Sequence, residues 1–299
     1  MLNIVGHKKI WFAFSGTLIL LAICAMIFFG FKQSAEFKSG TLWEFTAAAD
    51  HPSLSDVQNI FTNNLGISGA EVILDAQSQT FTVRFDSMDE ATHQKLEAAI
   101  KNLLPSFNEL SVESVSPSVS ASLRQQSIIA LLLVIVGISL YISYAFRKAS
   151  RPVSSWKYGF VTLLTLFHDV VIPAGVLALL GHVQKVEIDS NAIVALLVVM
   201  GFSVHDTIVV FDRIRENLLL DRGKKPFDTV VNESVNQTMA RSINTSLTLI
   251  LVLLALYFAG PANLHSFMII LLVGVTTGIY SSIFIASPIL TLLAPKDRK

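Results

Sequence analysis

Six separated runs of about 20 apolar residues govern what this chain can become. A polypeptide crosses a hydrocarbon core of about 30 Å only as a helix or a closed barrel, and runs of this length and composition select helices. They lie at about 11–31, 128–146, 158–180, 191–211, 243–258 and 267–293. Of the 299 residues, 52% are hydrophobic and 15% charged, with a mean hydropathy of +0.60, which is too apolar for a water-soluble domain of this size. The first run exceeds a signal-peptide apolar region and is followed by no convincing small-residue cleavage site, so it reads as an anchor. Cys24, the single cysteine, lies within it and reads as a small apolar filler, since one thiol forms no intrachain disulfide. The formal net charge is zero, so global charge selects no partner and gives no reason to expect nucleic acid.

Orientation follows from Lys and Arg. Lys8 and Lys9 with His7 precede the first run. Arg147, Lys148, Arg151 and Lys157 follow the second, Arg213, Arg215, Arg222, Lys224 and Lys225 follow the fourth, and Lys296, Arg298 and Lys299 follow the sixth. All fall on one side, which the positive-inside rule makes cytoplasmic. The organisation expected is a cytoplasmic start and first span (1–31), an extracytoplasmic domain (32–126), five further spans (127–293) and a cytoplasmic tail (294–299).

The outer segment is acidic, with 12 Asp or Glu against 6 Lys or Arg between positions 32 and 126. Its periodicity alternates between 2 and 3.6. A strand is expected over 41–46, a helix capped by Ser53 to about Asn64, a hairpin from 70–75 and 79–85, a helix capped by Asp89 to Leu104, and a strand over 109–119. That order is βαββαβ, the ferredoxin-like or split-βαβ motif. Its core is expected from Leu42, Phe45, Val57, Ile60, Phe61, Val72, Leu74, Phe81, Val83, Leu96, Ile100 and Leu103. His51 and His93 stand on polar stretches and read as solvated. There is no metal-ligand spacing, nucleophile motif or phosphate-binding glycine loop, so binding or movement is expected, with no cofactor.

Within the spans the polar residues stand out. Asp206 lies some six or seven residues from the cytoplasmic end of the fourth run, and an ionisable group there costs about 3 kcal/mol or more to insert. His168 and Asp169 fall near the middle of the third run. Arg241, Ser242, Asn244, Thr245, Ser246 and Thr248 open the fifth, where Arg241 is placed to pair with Asp206 and the hydroxyls can satisfy a buried acid or line a water file. His205 and His168 can orient a neighbour or carry protons. The plainer alternative is that these groups only hold helices together. Gly137, Gly201, Gly274 and Gly278 suit close helix approach, and Pro173 suits a kink.

Six stretches together resemble the SecD/SecF family of protein-export membrane proteins, on its SecF side. They are Glu36-Phe37-Lys38-Ser39-Gly40-Thr41; His168-Asp169 with Gly175; Gly201-Phe202-Ser203 through Asp212, Arg213 and Asn217; Arg241-Ser242-Ile243-Asn244-Thr245-Ser246; 264–267; and Gly278-Ile279-Tyr280-Ser281-Ser282 through Pro288. The resemblance implies six helices of the resistance-nodulation-division type in the cytoplasmic membrane of a bacterium, and partnership with SecD beside the SecYEG channel. It also implies use of the proton gradient to draw a preprotein outward through the lipid membrane. Asp206 and Arg241 match the family's coupling acid and arginine. Ser39 stands where the family has a glycine, His205 where a smaller polar residue is usual, and Leu249 where a threonine is usual. A small-solute or lipid exporter and a non-transporting scaffold are the competing readings.

Overall fold

The computed structural model describes residues 1–47, 52–75, 78–147, 153–261 and 264–294. The expectations for His51, Lys148, Arg151, Lys296, Arg298 and Lys299 lie outside the described residues. In chain order the elements are α1 (Lys8–Phe29), α2 (Ala35–Lys38), β1 (Gly40–Thr46), α3 (Leu54–Asn59), β2 (Glu71–Asp75), β3 (Thr80–Phe85), α4 (Glu90–Leu103), β4 (Asn108–Val115), α5 (Pro117–Ala145), α6 (Ser155–Val183), α7 (Ser190–Asp221), α8 (Phe227–Ala259), α9 (His265–Ser281) and α10 (Ser287–Leu293). A π-helical turn, Ser282–Ala286, joins the last two into one rod. The chain divides into two units, Met1–Lys32 with Ile128–Lys299, and Gln33–Ser127.

All six apolar runs are helices long enough to cross a membrane. Burial sorts them: 56%, 50% and 56% of the apolar windows of α6, α7 and α9–α10 are buried, against 11%, 6% and 17% for α1, α5 and α8. The first three therefore form the interior, and the others present Leu, Ile, Val and Phe outward, as lipid requires. Helices α7 and α8 outrun their apolar runs. The early part of α8 buries Val230, Val231, Ser234, Val235 and Thr238, a helical stripe, so it stays helical while its outer face is polar. Arg222 and Gly223, at φ 51° and 79°, end α7 in a left-handed stop.

The N-terminal segment is strapped to α8 by two asparagines one turn apart. The Asn232 carbonyl accepts from the Ile4 and Val5 amides (2.9 and 3.2 Å), and its amide donates to Leu2 O (3.0 Å). Asn236 both accepts from the Leu2 amide and donates to Leu2 O, at 2.8 and 2.9 Å. Ile4 and Val5 are buried there.

Close helix approach involves only part of the expected glycine set. A β-carbon at Gly274 would collide with Val199, and one at Gly278 would sit 3.2 Å from Ser203, but Gly137 and Gly201 have open space. The tightest backbone approach is instead at Gly175, where a β-carbon would lie 2.5 Å from Ala22 and push α1 off α6. Pro173 lies inside α6.

The Gln33–Ser127 unit is a four-stranded antiparallel sheet in the order β2-β3-β1-β4, so β3 splits the β1-α3-β2 unit. Ser53 closes a capping box with Asp56, and Asp89 caps α4 by accepting from the Thr92 amide. The core differs from expectation in one phase. Residues two apart share a strand face, so Trp43 and Phe45 point inward together and Leu42 lies on the other face. Phe107 joins them, with Val57, Phe61, Val72, Phe81, Val83 and Ile100, while Leu103 is 43% exposed. Strand β4 stops at Val115 because Pro117 opens α5, where its missing N–H costs nothing.

His93 is not solvated. Its side chain is 13% exposed, packs edge-on to Trp43 with ring centroids 5.1 Å apart, and places Nε2 2.8 Å from Glu109 Oε2, which also accepts from Trp43 Nε1 at 2.9 Å. Burial alone would lower the His93 pKa. The hydrogen bond and charge of Glu109, with Glu90 3.5 Å from Nδ1, outweigh that and raise it.

Ser39 adopts φ 65° and ψ 156°, a region almost reserved for glycine, immediately before Gly40, whose added β-carbon would lie 2.8 Å from Phe85 O. Ser39→Gly therefore stabilises the protein by about 1–2 kcal/mol in chemical denaturation. Gly175→Val lowers the thermal midpoint of the detergent-solubilised protein, whereas Gly201→Ala raises stability by up to about 1 kcal/mol. Because the folded pKa of His93 is raised, its contribution is complete below about pH 6.5 and fades as pH climbs through the folded value. An NMR titration of His93 should show a midpoint above the free-histidine value that falls in Glu109→Gln, and an unchanged midpoint would contradict the Glu109 contact.

Candidate functional site

The polar groups in the spans converge because α6, α7 and α9 pack closely and each turns a polar face inward. Asp169 and His168 lie on the buried side of α6, Ser203, Asp206 and Thr207 on that of α7, and Ser281 and Ser282 at the start of the π-turn that ends α9. The turn presents two successive serines to the interior, followed by buried Ser287, whose hydroxyl donates to Ser282 O at 3.1 Å.

Asp169 is the hub. Its Oδ2 accepts from the Ser203 hydroxyl and from the Ser281 hydroxyl at 2.7 Å, while Oδ1 faces His168 Nδ1 at 2.7 Å. A carboxylate only accepts, so the ring donates from Nδ1 and its other nitrogen is left facing inward. Nε2 is buried and has no hydrogen-bond partner among the described residues, and the ring stacks on Tyr280 at 6.0 Å. Tyr280 in turn donates to Trp11 O at 3.1 Å. Thr207 and Ser282 share a hydroxyl contact of 2.8 Å.

Asp206, 4% exposed, is the opposite case. Its Oδ2 is buried with no hydrogen-bond partner among the described residues. Ser242 and Ser282 flank the carboxyl, and Asp169 and His205 lie within electrostatic range. Buried Ser242 and Ser246 on α8 likewise have hydroxyls with no hydrogen-bond partner among the described residues. One acid is thus locked by three donors, and the other is held in the same cluster with an oxygen free to exchange a proton.

Arg241 does not pair with Asp206. It is exposed, as are Asn244, Thr245 and His205, and its side chain forms no ion pair among the described residues. The reason is helical phase: Ser242 and Ser246 take the inward face of α8, which turns Arg241, one residue earlier, outward. Of the remaining motif residues, Asp212 pairs with Arg215 at 3.4 Å and Arg213 with Glu216 at 2.6 Å at the surface. Gly40 starts β1, Gly201 faces open space, and Gly278 admits Ser203. Ser203 and Thr207 were visible only as motif neighbours of Asp206, although their spacing of i−3 and i+1 around it puts all three on one side of α7. Ser234 and Thr238 on α8 carried no apolar-run signal and were missed.

Residues 95–296 match the family model described as protein export membrane protein SecD/SecF, C-terminal. A protein translocase subunit SecF from Thermobaculum terrenum is 38% identical over 99% of this chain and 95% of its own length. A protein translocase subunit SecDF from Thermus thermophilus is 34% identical over 99% of this chain, which spans 39% of that longer protein. The crystal structure of SecDF from that organism, a translocon-associated membrane protein, superposes with a TM-score of 0.79 at 33% identity, covering 97% of this chain and 38% of the other. The chain belongs to the SecD/SecF family of protein-export membrane proteins.

Proposed function

We propose that this chain is a SecF-type subunit that works with a SecD-type partner to promote preprotein export across the cytoplasmic membrane at the expense of the proton gradient. The observation that carries the reading is the unpartnered, buried carboxyl oxygen of Asp206 beside the fully bonded Asp169. Protonation changes the charge of one group in a site whose other members are already committed. One elementary charge moving through 100 mV releases about 2.3 kcal/mol, enough to shift a two-state equilibrium about fifty-fold. The chain acts as a transport component without bond-making chemistry, and the Gln33–Ser127 unit is the part that moves with the substrate.

A partner is called for by the outward face of α7 and α8. His205, Arg241, Asn244 and Thr245 are exposed on it, and Arg241 adjoins Ser242, which flanks Asp206 within the fourth apolar run. An arginine left against lipid at that depth costs about 3 kcal/mol, so a second set of helices with its own polar groups belongs there. The longer SecDF relatives supply that further chain in cis, which supports SecD as the partner here. The Lys and Arg distribution supports cytoplasmic termini with residues 32–126 outside, and a position beside SecYEG follows from the family.

Asp206→Asn, expressed at normal level and still co-purifying with the SecD-type partner, should lose proton-gradient-dependent stimulation of preprotein export into inverted vesicles. Full stimulation in the variant would leave a scaffold that steadies the translocon.

A further inference from the structure

The buried face of α8 carries hydroxyls at every fourth residue: Ser234, Thr238, Ser242 and Ser246, each at most 5% exposed. Successive rungs rise about 6 Å, so the set climbs about 18 Å along the helix. At its lower end fully buried Ser234 is joined to the surface by half-buried Asn217 on α7, which donates to Ser234 Oγ (2.8 Å) and to exposed Gln237 (2.9 Å). At its upper end Ser242 flanks the Asp206 carboxyl, and the Asp206 Oδ2, Ser242 Oγ and Ser246 Oγ atoms are all buried with no hydrogen-bond partner among the described residues.

The chemistry of the rungs is graded. Ser234 and Thr238 donate to their own helix, to Val230 O at 2.7 Å and Ser234 O at 3.1 Å, which leaves an oxygen lone pair on each for an incoming donor. Ser242, against the Asp206 carboxyl, and Ser246 have no hydrogen-bond partner of good geometry among the described residues. A gap of about 6 Å is too long for one hydroxyl to reach the next, but it matches two hydrogen bonds through a single water. Buried hydroxyls that serve only to hold helices together end on a partner, as Thr207 does on Ser282. Those nearest Asp206 do not.

We propose that Ser234, Thr238 and Ser242 form a water-bridged proton file linking Asp206 to the surface at Asn217, near the α7–α8 connection. Resting on the reading of Asp206 as the exchanging acid, the file gives that acid its exit. A proton leaves the Asp206 carboxyl to a water at Ser242, and each bridging water in turn passes one on to the next until one is released beyond Asn217. Every oxygen gains a proton and loses one, so no net charge remains on α8. Asp169, already bound by three donors, stands outside this file.

The test is proton influx into vesicles containing the full chain with its SecD-type partner, followed with an entrapped pH-sensitive dye after a gradient is imposed. Thr238→Val keeps the shape and removes the hydroxyl, and Ser242→Ala removes the rung beside the acid. Each should slow influx about tenfold or more, while Thr238→Ser stays near wild type and Thr276→Val, on the exposed side of α9, is unchanged. Influx abolished by Asp206→Asn but untouched by Thr238→Val and Ser242→Ala overturns the file and leaves the Asp206 reading standing. Undiminished influx in Asp206→Asn overturns both. Equal loss in Thr238→Ser and Thr238→Val reveals a packing effect and overturns the file.

Discussion

The membrane unit is organised around a carboxylate that has been taken out of water and fully compensated. A buried charge lacking partners costs several kcal/mol, and each donor that satisfies it must be held in one place. Asp169 draws those donors from three directions: His168 beside it on α6, Ser203 on α7 and Ser281 at the end of α9. The three contacts fix the rotation of α7 and the depth of α9 against α6. Small residues make the approach feasible, since Gly278 lets α9 meet Ser203 and Gly274 lets it pass Val199. Asp206 sits less than one turn from Ser203 in this fixed frame and gains its distinct character by contrast. It is the acid the frame leaves unsatisfied.

A second carboxylate has the same architectural role in the Gln33–Ser127 unit. Glu109 on the edge strand β4 takes hydrogen bonds from Trp43 on β1 and His93 on α4, so one oxygen ties strand to strand and sheet to helix. The ring of Trp43 is wholly buried and meets Phe61, Phe107 and His93 edge-on, and Phe85 at a tilt. The acidic composition of this segment, taken alone, suggests a solvated surface. One of its acids instead reaches the edge of the core, its side chain 29% exposed while it holds two buried rings.

What the sequence makes legible is whatever depends on length and local chemistry. Six spans follow from six apolar runs, the hairpin of β2 and β3 from alternating residues, and the starts of α3 and α4 from Ser53 and Asp89. What it hides is rotation. In a lipid-exposed helix both faces are apolar, so nothing in the run tells which side is inward, and the exposure of Arg241 follows from the burial of Ser242 and Ser246, which only packing decides. The same blindness moved Leu42 inward in place of Trp43, because two apolar neighbours of opposite strand phase look equally suited to a core. Ser234 and Thr238 escaped notice because they precede the apolar part of α8, where a polar residue attracts no attention.

The strap formed by Asn232 and Asn236 has a consequence for the order of assembly. Residues 2–5 leave the ribosome more than 220 residues ahead of the asparagines that hold them, and the hydrogen bonds that secure them cannot form until α8 exists. This early segment is thus among the last to be secured. Closure of the strap marks the point at which α8 has come to rest beside the segment that precedes α1, and a membrane unit with that latch open is recognisably unfinished.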